Sequence, residues 1–460
     1  MNQIHTQRRA DLMVSLDAPI LLAGNGIRYR NSAYPLPFRQ DSNFLYYTGC
    51  QQPGAALLLD GGESTLFLTP PEDDDALWHG HSETIEQSAA ALGFTRVRPM
   101  SELEAVCRAC GGLKSIAVPD RAVTDAIAAL TGQPLEFLRT PGDEALIQAI
   151  ITQRRIQGPE EVAEMRRAAL ATNAAHRAAM AATRPGGHER EVAAVFNAMI
   201  TAHGCVSAYG AIVTVRGEVL HNNHYSNPLE DGQLLLLDGG AESPAGYATD
   251  VTRTWPVNGT YSGRQRAAYE AVLDAQLAAI DMVRPGVRYR DVHMKASLVL
   301  AQFLTDEGLL TVSAASAVES GAHALFFPHG VGHLIGLDVH DMEGFGDRQA
   351  YPPGRSRSSQ FGTGYLRLDI DLEAGMAVTI EPGFYIVPAI FDDATLTGRF
   401  ADQIDLAKAR EWIGFGGIRI EDDVVATARE PEVITAAIPK TIADVEAAIA
   451  EDFVWQAFAP

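Results

Sequence analysis

Four consecutive leucines that run straight into a carboxylate, Leu234-Leu235-Leu236-Leu237-Asp238, constrain this chain more than any other stretch. A short apolar run closed by Gly239-Gly240 reads as a strand buried on both faces. It carries Asp238 into the interior, where an unpartnered charge is expensive. The fold must therefore bring that carboxylate a counterpart from elsewhere. Twelve residues on, Asp250 opens the segment Val251-Thr252-Arg253-Thr254-Trp255-Pro256. Period-two alternation sets Asp250, Thr252 and Thr254 on one face and Val251 and Trp255 on the other. Taken singly, either aspartate could be a turn residue or a strand cap.

Two later strands also carry acids. In Thr379-Ile380-Glu381-Pro382-Gly383-Phe384-Tyr385-Ile386 the glutamate precedes a proline, which holds it extended. In Gly417-Ile418-Arg419-Ile420-Glu421-Asp422-Asp423-Val424-Val425, Arg419 and Glu421 share one face while Ile418 and Ile420 share the other. That alternation alone also fits a surface ladder. The run from Phe327 to Asp341 adds three imidazoles, His329, His333 and His340, among glycines at 330, 332 and 336. Glycine lets a backbone approach a ligand closely, so these histidines could converge on one point.

Two aspartates, two glutamates and at least one histidine make an oxygen-rich donor set. It suits hard or borderline divalent ions such as Mn²⁺, and Co²⁺ or Zn²⁺ could also bind. Structural zinc would use cysteines instead. Carboxylates can bridge two cations about 3.5–4 Å apart, a pair able to generate hydroxide and stabilise a tetrahedral intermediate.

At 460 residues the chain exceeds one ordinary core, so two domains are expected, with the boundary near residue 158. Residues 1–158 alternate strand and helix signals, an α/β pattern. Apolar runs at 55–59 and 65–69 flank a hairpin turn at Asp60-Gly61-Gly62, and Asp120 opens a helix. Gly24-Asn25-Gly26 lacks the third glycine and the lysine of a phosphate loop. Pro159-Glu160-Glu161 starts a long helix that stops before Pro185-Gly186-Gly187. Further helices carry Val192, Phe196 and Met199, then Tyr269, Val272 and Ile280, with strands between, so residues 159–460 read as α+β. Residues 352–364, rich in Pro, Arg, Ser and Gly, read as an exposed loop insertion.

A formal charge of −22 and the lack of any Lys/Arg-rich run argue against nucleic-acid binding. No stretch approaches the roughly 18 apolar residues of a membrane span. Asp11 and Asp17 interrupt the apolar start, and residues 19–23 are too short for a signal segment, so the expected compartment is the cytoplasm. Four cysteines make no disulfide framework, and Cys107-Arg-Ala-Cys110 is expected to hold buried or half-buried thiols.

The blocks around Asp238, Asp250, His333, Glu381 and Glu421 resemble the M24 pita-bread metallopeptidases, in the right order. They are most similar to the aminopeptidase P (Xaa-Pro aminopeptidase) branch, with prolidase close behind. Asp41-Ser-Asn-Phe-Leu-Tyr-Tyr-Thr-Gly49 resembles that branch's N-terminal domain. The resemblance implies an α/β N-terminal domain, serving oligomerisation and the substrate cleft, followed by an α+β pita-bread catalytic domain. It implies hydrolysis of the N-terminal Xaa-Pro bond by a hydroxide bridging two divalent metals. Asp238 would chelate one metal, Asp250 and Glu421 would bridge both, and His333 and Glu381 would complete the second site. Glu381 would also shuttle the proton. His221 and His340 would contact substrate, His329 would line the pocket, and Arg419 would steady the carboxylates. Trp78 would line the cleft of an adjacent subunit in a homodimer or homotetramer. His224 is read as a neighbour of His221, and His79 and His81 as loop residues.

Partners implied are peptides with proline second. A prolidase restricted to Xaa-Pro dipeptides is the alternative, needing a basic clamp that the sequence does not reveal. A catalytically dead pita-bread binding module or a creatine-amidinohydrolase-like relative would lose ligands that are all present here. Two departures concern the first-residue side of the cleft. The Asp238–Asp250 spacing is one residue longer than usual and contains Pro244, and residues 212–217 lack a Ser-Gly pair.

Overall fold

The computed structural model describes every residue except Met1, Asp73, His81 and Asn223, so the expectation for His81 lies outside the described residues. The chain divides into two compact units, Met1–Arg154 with Met342–Gln349, and Arg155–Asp341 with Ala350–Pro460. The first unit thus takes in a short segment that sequence order places far downstream.

The first unit is built on a five-stranded sheet, ordered Val97–Pro99, Glu63–Leu68, Ala56–Asp60, Ile20–Ala23, Lys114–Ser115. The three central strands are antiparallel and both edge pairings are parallel. The central hairpin turns on Gly61 and Gly62, both at positive φ (57° and 82°), the left-handed pair that a two-residue turn needs. Helix Arg121–Thr131 starts where Asp120 accepts the Ala122 and Val123 N–H groups and ends at left-handed Gly132. Leu21, Leu58, Phe67, Cys107 and Ile127 pack as one core beneath the sheet. Burying Phe67 alone contributes about 2–3 kcal/mol. At the start of the chain Asn2–Ser15 forms a helix ahead of strand Ile20–Ala23. His5, Arg8 and Arg9 of that helix are buried against the carbonyls of Tyr46 and Tyr47.

In the second unit the long helix spans Pro159–Ala182, and its Gly158 N–H is capped by Glu161 Oε2 at 2.8 Å. It packs on Glu189–Ala202, and Gly263–Ile280 packs on Tyr289–Asp306. Between these helices run short sheets. Leu234–Asp238 lies between Thr252–Pro256 and Ile212–Thr214, and all five of its residues are buried, as a strand covered on both sides must be. Asp422–Val425 lies between Ala377–Ile380 and Glu432–Val433.

Two stretches read as single strands are each broken at their acidic residue. Ala377–Ile380 and Gly383–Tyr385 belong to different sheets, separated by Glu381-Pro382. Gly417–Arg419 and Asp422–Val425 likewise part at Ile420-Glu421. Proline cannot donate to a ladder, so the chain changes partners at Pro382; the Glu381 N–H goes to Val331 O at 2.8 Å and the Glu421 N–H to Thr252 O at 3.0 Å.

Candidate metal centre

Each acidic side chain reaches the centre from a strand end or a break. Asp238 closes its strand and pairs in register with Thr252 across the ladder. Gly239 O accepts from His176 Nε2 at 3.0 Å, which ties the turn after Asp238 to the long helix. Gly240 packs against Thr249 O so tightly that a Cβ would collide with it. The extra residue near Pro244 is absorbed in a turn, where Gly246 N–H returns to Ser243 O at 2.8 Å. The far end of that loop presents Asp250.

His333 enters from the glycine-rich run. Gly332 (φ 153°) lets the chain pass against Thr379 O, where a side chain would clash. His333 Nδ1 donates to Leu334 O at 3.0 Å, because a carbonyl can only accept. The Nε2 lone pair is therefore turned toward Asp250 Oδ2 at 3.4 Å and Glu381 Oε1 at 3.8 Å.

Three overlapping donor groups result, each with its ligand atoms within 4.8 Å of one another: Asp238, Asp250, Glu421; His333, Glu381, Glu421; and Asp250, His333, His340. Asp250 and Glu421 are the carboxylates shared between groups. Among the described residues all five expected ligands therefore converge.

Residues 163–428 match the model of metallopeptidase family M24. The chain belongs to that family. Residues 5–116 match the aminopeptidase P N-terminal domain, so the fold is an aminopeptidase P-type α/β domain followed by an α+β pita-bread catalytic domain. A probable Xaa-Pro aminopeptidase of Verticillium alfalfae is 32% identical over 94% of each chain. The Xaa-Pro aminopeptidase of Haemophilus influenzae is 31% identical over 94% of this chain and 93% of its own. Aminopeptidase PepP of Pseudomonas aeruginosa superposes with a TM-score of 0.82 at 29% identity, covering 98% of both chains. Zinc-substituted aminopeptidase P of E. coli with product gives 0.80 at 28% identity, again over 98% of both.

The electrostatics of this M24 peptidase test whether cations fit. Three buried carboxylates and the half-buried Glu381 face one guanidinium, Arg419, whose Nη2 donates to Asp238 Oδ2 at 2.5 Å. Burial pushes Glu421 well above the usual carboxylate range, with Asp250, Glu381 and Asp238 adding repulsion. Burial likewise raises Glu381 to about 8 and shifts Asp238 up. Asp250 moves down: burial opposes ionisation there, but a proton on His333 Nε2, in the place a cation would take, and then Tyr209 prevail. Burial also lowers the His333 pKa, which keeps the imidazole neutral and able to ligate. Glu421 Oε1 is buried with no hydrogen-bond partner. A lone pair aimed at two carboxylates, an orphaned carboxylate oxygen and uncompensated buried charge are all satisfied by divalent cations.

The surrounding wall holds both expected and unexpected residues. Arg419 Nη1 donates to Tyr385 Oη at 2.9 Å, and Tyr385 in turn donates to His329 Nε2 at 2.9 Å. His329 Nδ1 meets Gly330 O at 2.8 Å, so both its nitrogens are engaged; burial, then Arg419, holds its pKa near 3. It is a fixed part of the wall. His340 stacks edge-on to His333, with centroids 4.3 Å apart. His221 is exposed in a turn and belongs to none of the three donor groups. His224 is exposed. His79, expected in a loop, closes the five-residue helix Asp75–His79, which also carries exposed Trp78 in the first unit.

Tyr209 was not legible. Its hydroxyl bridges Asp238 Oδ1 (2.6 Å) and Asp250 Oδ1 from a loop outside any motif. Thr252 was half legible: alternation put it on the acidic face, and its Oγ1 donates to Glu421 Oε2 at 2.7 Å while accepting from Arg419 Nε.

Proposed function

We propose that this M24 peptidase is a Xaa-Pro aminopeptidase, removing the first residue of peptides that carry proline second. The observation that carries the reading is that the group Asp238, Asp250, Glu421 shares Glu421 with a second donor group and Asp250 with a third, which supports a dinuclear site. Asp238 would chelate one ion, Asp250 and Glu421 would bridge both, and His333 and Glu381 would complete the second; manganese suits this set best. When bound, such a pair supplies a nucleophile from water at neutral pH and charge to meet the developing oxyanion.

The protein's own groups do the rest. Glu381, as a carboxylate at the centre, would take the proton of the attacking water and return it to the departing proline nitrogen. His340 and His221 donate to the substrate carbonyl, aligning it and strengthening as charge grows. Arg419 holds Asp238 in place and, through Tyr385, fixes the His329 wall. The α-amine of the substrate finds the acidic cluster, which accounts for action at a free N-terminus. We read the enzyme as a homodimer or homotetramer in which Trp78 lines a neighbouring cleft. We place it in the cytoplasm, in keeping with four free cysteines. No helix among the described residues is long and apolar enough to cross a membrane.

One observation favours dipeptidase action. Arg367, a cation beside His340, stands where a product-side carboxylate could be met. Turnover of Xaa-Pro against Xaa-Pro-Xaa peptides by manganese-loaded protein decides between them. The aminopeptidase reading expects the tripeptide to be cleaved at least as well and chelation to abolish both activities. Activity that survives exhaustive chelation would overturn it.

A further inference from the structure

The inserted loop at residues 352–364 is not the loose surface excursion its composition suggests. Its two arginines fold back onto the segment that follows it. Arg357 Nη1 donates to Leu366 O at 2.9 Å, and Tyr351 Oη donates to the same carbonyl at 2.6 Å. The Arg357 guanidinium lies over the Tyr351 ring, 5.3 Å from its centroid. Arg355 Nη1 donates to Asp369 O at 2.9 Å, and its Nη2 pairs with Asp371 at 2.8 Å. Asp369 is itself clamped by Arg288 through two contacts of 2.6 Å. The backbone on both sides of Arg367 is thus pinned by side chains from outside the catalytic cluster.

The pinned segment rests on the centre's wall. A Cβ on Gly330 would sit 3.0 Å from Leu366 Cα and 3.3 Å from Tyr365 O, so the two backbones pack directly. The next residue, Arg367, brings Nη1 to 3.4 Å from His340 Nδ1. A guanidinium can only donate, so that contact requires the His340 Nδ1 lone pair and leaves its N–H on Nε2. The charge of Arg367 is also felt at Glu381 and His329, which places it at this wall by a second route.

We propose that Arg355, Arg357 and Tyr351 form a strut that positions Arg367, and that Arg367 in turn holds His340 in the tautomer that presents Nε2–H to the substrate carbonyl. All four are positioning residues. The inference rests on the reading of His340 as a substrate-side donor. It explains why a polar insertion spends two arginines on backbone carbonyls rather than on solvent. An orienting partner of this kind is worth about tenfold or more when removed.

The test is a double-mutant cycle with a spectroscopic arm. Arg357→Leu and Arg367→Met should each lower kcat/KM on a Xaa-Pro tripeptide by about tenfold with little change in Tm, while Arg357→Lys, which can still donate to Leu366 O, recovers most of the loss. In a His340→Ala background both losses should shrink to less than about twofold, since the strut acts through that imidazole. Equal losses in both backgrounds would overturn the proposal. In zinc-loaded protein with ¹⁵N-labelled histidine, and His340→Gln for assignment, the wild type should show an unprotonated His340 Nδ1, with tautomer exchange appearing in Arg357→Leu. A protonated Nδ1 in the wild type would also overturn it. If wild-type protein cleaves no Xaa-Pro peptide under any metal loading, the functional reading fails, and the nitrogen signals alone decide the strut.

Discussion

Glu421 and Asp422 are adjacent in the chain, both buried and both acidic, yet their environments are opposite. Asp422 receives Arg253 Nη2 and Lys440 Nζ at 2.8 Å each, with Thr435 Oγ1 at 2.7 Å. Burial opposes its ionisation, but Arg253 and then Lys440 outweigh that and hold its pKa at about 2. Glu421 has Thr252 Oγ1 on one oxygen, nothing on the other, and three acidic neighbours that drive its pKa well up. The protein sets two cations against the first, while the second sits among three acids with Arg419 beside them. Arg253 links the two: its Nη1 donates to Glu421 O and to Thr252 O, so the structural pair holds the backbone from which the ligand projects.

Conservative substitution breaks this comparison most sharply. Glu421→Gln should reduce peptidase activity by at least about 10²-fold and lower the bound metal, measured by steady-state assay and elemental analysis. The same variant, freed of like-charge repulsion, should unfold at an unchanged or higher temperature when metal-free. Arg253→Met strands Asp422 instead and should cost about 3–5 kcal/mol in urea unfolding. An Arg253→Met variant as stable as wild type would dissolve the distinction between the two acids.

Metal titration sharpens it further. Ions that bind only the folded chain should stabilise it by about 2.7 kcal/mol at a hundred times Kd, read as a rising Tm. The gain should vanish in Glu421→Gln and persist in a variant away from the centre such as Cys107→Ser.

The smallest effect tests the same rule with the opposite charge. His5 is buried in the first unit, and burial, with further repulsion from Arg8 and Arg9, lowers its pKa from the usual 6.5 to about 4. The unfolded chain protonates first as pH falls. The stability contribution is therefore full above about 6.5 and is lost as pH drops toward 4, by about 2 kcal/mol between pH 7 and pH 5. His5→Gln should remove that part of the slope in urea unfolding at pH 7 and pH 5.

Much of the cluster was legible because its acids sit where local pattern breaks. A leucine strand ending in Asp238 and a glutamate before Pro382 each announce a carboxylate that the local chain cannot satisfy. Arg253 shows the limit. Alternation sets it on the core face with Val251 and Trp255, and Asp422 falls with Ile418 and Ile420, so each looks like a misplaced charge alone. Their pairing spans 169 positions and exists only in the fold. Tyr209 has no pattern at all, since a lone tyrosine in a loop gains its role from the two aspartates it meets.

The sequence by itself determined which residues offer donor atoms, and the resemblance of its motif blocks pointed to the family. The donors are legible from local rules of burial, periodicity and proline, which act over a few residues. Tertiary structure alone decided which carboxylates share a neighbour, which acid has a protein countercharge, and which imidazole nitrogen faces the cluster. These depend on distances between segments remote in the chain, and electrostatic energy in a buried site changes steeply over an ångström.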